Sequence, residues 1–291
     1  MKKIVILGCE NSHANTFLKF IRDDKKFSDV EVVGVYSHER EASEKLNKEF
    51  GVKVMENYDE LVGQVDGVVI TARHGDNHFK YAKPYIESGV PMFIDKPVTI
   101  SEEEAVEFMQ LCNKYGVKIT GGSCLKHADV IKGLKSDVIN NVGGKTISAF
   151  LRAPVSLDNP HGGFFFYSQH LIEMVLEPFG RYPKSVIATK NGGLITVIFK
   201  YEDFDVTGIL VESNYNYSAL RLSETGETGG MFPIDGNSEC FYIEFDEFYE
   251  ILSGEEQKIS YKDFIAPVFV LNAIWRALES GKEEMVKEIV L

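Results

Sequence analysis

The sequence predicts two α/β domains, the first a doubly wound parallel sheet and the second built on an open, mainly antiparallel sheet. Three observations lead there. At 291 residues the chain exceeds one average domain. Apolar runs of strand length alternate with helical patterns over residues 1–122, which is how a parallel sheet with crossover helices is written. After Gly121-Gly122, strand-like runs follow one another with few helices between them, as in an antiparallel sheet.

In order, "KIVILG", "VEVVGVY", "GVVITA", "PMFIDK" and "VKIT" are the predicted strands of the first domain. Their nearly unbroken apolar character suits strands covered on both faces. The helix "EREASEKLNKEFG" ends on Gly51 and "NHFKYAKPYIESG" on Gly89. "SEEEAVEFMQLCNKYG" opens on Ser101 with an acidic first turn and closes on Gly116. Residues 123–291 form the second domain, with a helix at "ADVIKGLKSDVIN" and strands at "KTISAFLRA", "SVIATK", "LITVIFKY", "DVTGILVE" and "YSALRLSE". Helices at "GFFFYSQHLIEMVLEPFG" and "APVFVLNAIWRALESG" complete it, and the last is expected to pack back on the first domain.

Composition narrows the function classes. Apolar residues make up 44% and charged residues 26%, the balance of an ordinary globular protein. Forty-four acidic against 31 basic residues give a formal charge of -13, a field that repels nucleic acid and anionic membranes. The start "MKKIVILGC" has the look of a lipoprotein signal, but Ile4 to Leu7 fall short of the roughly 7–15 apolar residues of an export segment. The run reads as a buried strand. No stretch approaches the roughly 20 apolar residues of a membrane span, and Cys9, Cys112, Cys124 and Cys240 lack CxxC or zinc spacing. A reduced, cytoplasmic protein is expected.

The first strand runs into "GCENSH", where a Rossmann dinucleotide site carries three glycines: one for the tight turn, one for approach of the pyrophosphate, one for helix packing. Gly8 keeps the first place, Glu10 takes the second and His13 the third, followed by the small Ala14. Asn11 and Ser12 are good capping residues, so the helix N-terminus and its N–H groups remain presentable to an anion. The same residues also fit a capped turn that binds nothing. At the end of the second strand, Ser37 and His38 stand where an acid usually holds the ribose hydroxyls of NAD. Arg40 is placed to receive a 2′-phosphate, which favours NADP, although an exposed helical arginine is as readily a solvated one.

"DKP" after a strand and "GG…H..E" on a later helix, in this order of elements, resemble the Gfo/Idh/MocA oxidoreductases over nearly the whole chain. The resemblance implies an N-terminal Rossmann domain and a C-terminal α/β domain that supports the substrate site and oligomerises through its sheet. It places Ala72, Arg73 and His74 of "VVITARHGDNH" beside the cofactor, with His78 on the next helix. His74, Asp76 and His78 also read as metal ligands, but no partner cluster matches them and no metal is expected. Asp95 replaces the family's glutamate, while Lys96 and Pro97 are unchanged, and the resemblance gives Lys96 a substrate oxygen to orient.

In "HGGFFFYSQHLIEMVL", Gly162, Gly163, His170 and Glu173 fit the second signature, whereas Phe166 and Tyr167 replace its aspartate region. His170 becomes the acid/base, since imidazole titrates near neutral pH and takes a hydroxyl proton as hydride leaves the same carbon. Tyr167 is its neighbour and assistant. Phe164 to Phe166 read as packing. Lys126 and His127 are candidate substrate contacts entering an interdomain cleft, and Arg152, Asn159 and His161 serve equally as site residues or loop anchors. The expected activity is NAD(P)-dependent hydride transfer on a hydroxyl-bearing carbon of a sugar, polyol or similar molecule. The alternative is a dinucleotide- or metabolite-binding protein without turnover.

Overall fold

The computed structural model describes residues 1–212, 216–234 and 239–291. In chain order, β1 (Lys2–Leu7), α1 (Ser12–Asp23), β2 (Val30–Tyr36), α2 (Arg40–Phe50), β3 (Gly67–Ile70), α3 (Asp76–Ile86), β4 (Met92–Asp95), α4 (Glu102–Tyr115) and β5 (Ile119–Gly122) alternate strand and helix. Then come α5 (Asp129–Ile139), β6 (Thr146–Val155), α6 (Phe164–Phe179), β7 (Ser185–Asn191), β8 (Leu194–Lys200), β9 (Asp205–Glu212), β10 (Tyr217–Ser223) and β11 (Glu227–Phe232). Helices α7 (Glu239–Leu252) and α8 (Tyr261–Ser280) and the short β12 (Glu284–Met285) follow. Two compact units result: Met1–Gly122 with Gly236–Phe264 and Leu291, and Ser123–Asp235 with Ile265–Val290.

The first unit holds a five-stranded parallel sheet in the order β2-β1-β3-β4-β5. A single parallel bridge between Val35 and Val54 prolongs it beyond β2. Counting that remnant as a strand restores the common doubly wound order, in which the chain changes direction across the sheet between β1 and β3. "MKKIVILGC" supplies β1, whose Ile4 to Leu7 are fully buried. Local chemistry sets the helix ends: the Ser101 hydroxyl accepts from Glu104 N–H at 3.2 Å, Glu102 to Glu104 occupy the first turn of α4, and Gly116 closes it in the left-handed region. Helix α7, absent from the predicted elements, sends Phe245, Phe248 and Ile251 into one core with Phe17, Phe27 and Phe93.

The second unit holds a seven-stranded sheet, β11-β10-β6-β9-β8-β7-β12, in which β6 and β9 pair in parallel and the other neighbours are antiparallel. Helix α6 covers one face, close enough that a Cβ on Gly208 would lie 2.8 Å from Leu171. Strand alternation sends a different set to the other face. Register brings Leu220 opposite Phe150, Phe150 opposite Thr207, and Thr207 opposite Ile198, with Leu220 and Leu222 exposed. Two elements begin or exist where sequence reasoning has none. Helix α8 starts five residues before Ala266 because Ser260 accepts from Asp263 N–H, so Pro267 lies inside it rather than at its start. The strand β11 has Gly229 and Gly230 at its centre, which dilute any strand pattern.

Candidate active site

In the first unit the candidate residues follow the C-terminal ends of the strands, the edge at which open α/β sheets bind ligands. Gly8 turns the chain out of β1 with φ +75°, and a Cβ there would sit 2.5 Å from Ala72, so both conformation and space require glycine. Glu10 is buried and turned sideways. Its Oε2 accepts from Ser37 Oγ at 2.6 Å and its Oε1 from the Arg73 N–H at 3.1 Å, tying together the loops after β1, β2 and β3. His38 Nδ1 lies 3.9 Å from Glu10, and Arg40 pairs with Glu56 at 2.8 Å and Glu44 at 3.3 Å.

Asn11 stands at the N-cap of α1, but its side chain does not cap. Instead Asn11 Nδ2 donates to Asp95 Oδ2 at 2.7 Å, while Asp95 Oδ1 accepts the Lys96 N–H at 2.7 Å. Ser12 Oγ donates to Asn11 Oδ1 at 3.2 Å. His13 is buried between Asp95, 3.3 Å from Nδ1, and Glu244 of α7, 3.5 Å from Nε2. Burial alone lowers an imidazole pKa, but these two carboxylates outweigh it and hold His13 above its ordinary value. Glu244 escaped the sequence reading, as did α7 that carries it.

His78 needs correction as a cofactor contact. Its ring is fully buried, with Nδ1 2.6 Å from Pro97 O and Nε2 2.8 Å from Ala72 O, so it pins the loop after β3 to the loop after β4. Burial lowers its pKa, with Asp95 and the two carbonyls opposing. The metal alternative fails at the same residue, because both nitrogens that would ligate are occupied. His74 Nδ1 accepts from the Asp76 N–H at 3.3 Å, at the start of α3. Lys96 is buried directly after β4.

In the second unit, Gly162 and Gly163, both with positive φ, lead into α6, which carries Tyr167, His170 and Glu173. His170 is buried, and its Nδ1 shares a 2.6 Å hydrogen bond with Ser123 Oγ, which also accepts from Leu125 N–H at 3.2 Å. Ser123 therefore holds one nitrogen of the imidazole. Sequence spacing does not reveal it; its position directly after the Gly121-Gly122 strand end is the one available signal. The Tyr167 ring packs edge-on to His170 at 5.2 Å, and Tyr217 of β10 does so at 6.5 Å.

Glu173 lies against Arg181, 3.0 Å from Nη1, and accepts from Gln169 at 3.3 Å, so its carboxylate anchors α6. Phe164 and Phe165 pack on Trp275 of α8, as expected of packing residues, while Phe166 lies against His161 and Tyr167. Lys126 is buried and His127 half-buried in the short 3₁₀ turn Cys124–His127, which packs against α6. Asn159 donates to Ser156 O and Gly163 O at 2.8 and 3.0 Å and holds the loop before α6. Arg152 donates to Asn216 O at 3.2 Å.

Residues 2–123 match the model of an oxidoreductase family described by its NAD-binding Rossmann fold. Over 151 residues the chain is 31% identical to glucose-6-phosphate 3-dehydrogenase of Bacillus subtilis, covering 51% of this chain and 41% of that protein. An uncharacterized oxidoreductase of Escherichia coli is 26% identical over 134 residues, 42% of this chain and 38% of the other. The chain thus spans about two fifths of the length of the curated relatives it matches. Among solved structures, scyllo-inositol dehydrogenase of Lactobacillus casei with bound NAD(H) and scyllo-inositol superposes with a TM-score of 0.83 at 16% identity, over 98% of this chain and 99% of that one. A putative myo-inositol dehydrogenase of Sinorhizobium meliloti gives 0.84 at 16% identity, over 99% and 100%. These two likenesses establish the fold, a five-stranded parallel sheet plus a mainly antiparallel one.

Proposed function

We propose that the protein is an NAD(P)-dependent oxidoreductase acting on a hydroxyl-bearing carbon, a reading supported by the match of residues 2–123 to the model of the Gfo/Idh/MocA oxidoreductase family, described by its NAD-binding Rossmann fold. The observation that carries the reading is that family match. The fit of the chain's own residues to a dinucleotide is supported by α1, which opens after the positive-φ turn at Gly8 with no side-chain cap. Because Asn11 is drawn to Asp95, the first-turn N–H groups of α1 are left to an anion such as a pyrophosphate. Gly8, Asn11, Ser12, Ala72, Arg73 and His74 would line that group.

Bound NAD(P) supplies the hydride acceptor or donor. Lys96 orients the substrate oxygen by its ammonium, and His170 exchanges the hydroxyl proton, its ring held by Ser123 through Nδ1. Tyr167, edge-on to His170, assists. Lys126 and His127 are assigned to substrate contact. The names of the similar proteins, a glucose-6-phosphate 3-dehydrogenase, a putative myo-inositol dehydrogenase and a scyllo-inositol dehydrogenase, favour a sugar or cyclic polyol here. Four buried cysteines outside any disulfide among the described residues support a reducing, cytoplasmic setting, and among the described residues no helix is long and apolar enough to cross a membrane.

The test is titration with NADH and NADPH followed by nicotinamide fluorescence, then turnover on a panel of sugars and polyols, with Lys96→Ala and His170→Ala alongside. Saturable binding with turnover lost in both variants is expected. A folded protein that binds neither form belongs to the non-catalytic alternative. We also assign a homo-oligomer to the open face of the second sheet, where Phe150, Ile198, Leu220 and Leu222 share one side. Light scattering should find an oligomer that Leu220→Lys dissociates; wild-type monomers would end that assignment.

A further inference from the structure

We infer that the edge formed by Glu10, Ser37 and Arg40 selects NAD over its 2′-phosphorylated form, with Glu10 supplying the discriminating charge. The inference rests on the dinucleotide reading above. In sheets of this kind the acid that meets the adenosine ribose stands at the end of β2. Here that position is Ser37, and the sequence looks bereft of the acid. The side chain arrives from elsewhere: Glu10 reaches over from the loop after β1 and accepts from Ser37 Oγ at 2.6 Å, setting a carboxylate at the same point. The Arg73 N–H, 3.1 Å from Oε1, holds its second oxygen. With its side chain only 1% exposed, Glu10 acts through a medium that screens charge poorly.

The groups that favoured a 2′-phosphate are committed elsewhere. Ser37 Oγ gives its proton to Glu10 and accepts from the Glu39 N–H at 3.0 Å, so it has no O–H left to donate to a phosphate. Arg40 already spans Glu56 and Glu44. His38 sits 3.9 Å from both Glu10 and Glu39. A 2′-phosphate would therefore meet the carboxylates of Glu10, Glu39, Glu44 and Glu56, with Arg40 already paired to two of them. A ribose hydroxyl carries no such charge and meets no repulsion from them.

The experiment compares NADH and NADPH dissociation constants by nicotinamide fluorescence and calorimetry, in the wild type and in Glu10→Gln, Arg40→Ala and Arg73→Ala. Wild type should bind NADH at least about tenfold tighter, equivalent to about 1.4 kcal/mol. Glu10→Gln should narrow the ratio to about threefold, mainly by improving NADPH. Arg40→Ala and Arg73→Ala should leave NADPH no weaker relative to NADH. Equal or tighter NADPH binding by wild type overturns the inference and leaves the dinucleotide reading standing, as does selective loss of NADPH on removing either arginine. Binding of neither form by folded wild type overturns both, and recovery in Glu10→Gly would then identify Glu10 as a plug. If Glu10→Gln does not fold, the wild-type ratio and the two arginine variants decide.

Discussion

The two units hold their candidate residues in contrasting ways. Along the edge of the parallel sheet, polar side chains bind one another across loops: Glu10 with Ser37 and Arg73, Asn11 and His13 with Asp95, His78 with two backbone carbonyls. On α6, His170 shares a hydrogen bond with the Ser123 hydroxyl and packs edge-on against Tyr167 and Tyr217. The first arrangement spreads its geometry over many bonds, so a single loss distorts several loops. In the second, the Ser123 bond orients one ring, so its loss acts first on His170. The lesson is that a departure from a motif is compensated differently where the neighbours are loops and where they are a helix.

The largest effect belongs to the α6 side. His170→Ala should lower kcat by about 10²–10⁴-fold, with NADH affinity unchanged in fluorescence titration; an equal loss of NADH binding would mean that the two units are not chemically separate in this way. Next comes the loop edge, where Gly8→Ala forces a side chain into positive φ and into Ala72. It should cost about 2–4 kcal/mol in denaturant unfolding, and an unaffected midpoint would show that the edge gives way freely. Ser123→Ala follows, with kcat down about tenfold, a change of about 1.4 kcal/mol. As Ser123 is a positioning residue, its loss should also displace the pH profile of kcat, and Ser123→Thr should restore both; unchanged pH dependence would assign it to packing alone.

The smallest effect concerns His13, whose folded pKa is raised above the ordinary 6.5 by Asp95 and Glu244 against the pull of burial. A raised value means that its ion pairs contribute stability fully below the unfolded pKa, and that this contribution is lost as pH rises through the folded one. Melting of wild type and His13→Gln, compared from mildly acidic to alkaline pH, should therefore show a gap that is widest on the acidic side and closes upward. A gap that grows with pH would reverse the sign and remove the imidazolium from the loop edge.

Much of the fold was legible because β3, β4, β5 and β1 from Ile4 on are wholly buried and so appear as short, mostly apolar runs, punctuated by Gly51, Gly89 and Gly116. Helix α7 was not. Cys240, Phe245, Phe248 and Ile251 keep a helical interval, but Glu244 lies on the same buried face and interrupts the apolar stripe. At the site, residue types after each strand point to one edge of the sheet, since topology decides where strand ends gather. What they bond to was hidden. Ser123 is 47 residues from His170, and half of the bonds that hold Glu10 come from a backbone N–H, which no residue type advertises.

The aromatic core shared by Phe17, Phe27 and Phe93 with Phe245 and Phe248 has a consequence for biosynthesis. Residues 1–122 leave the ribosome well before 236–264, so the five-stranded parallel sheet emerges with one wall of its core missing. Until α7 arrives, those rings face water or a chaperone. A nascent chain stalled after β5 should therefore stay protease-sensitive, and acquire resistance only once translation has passed Leu252.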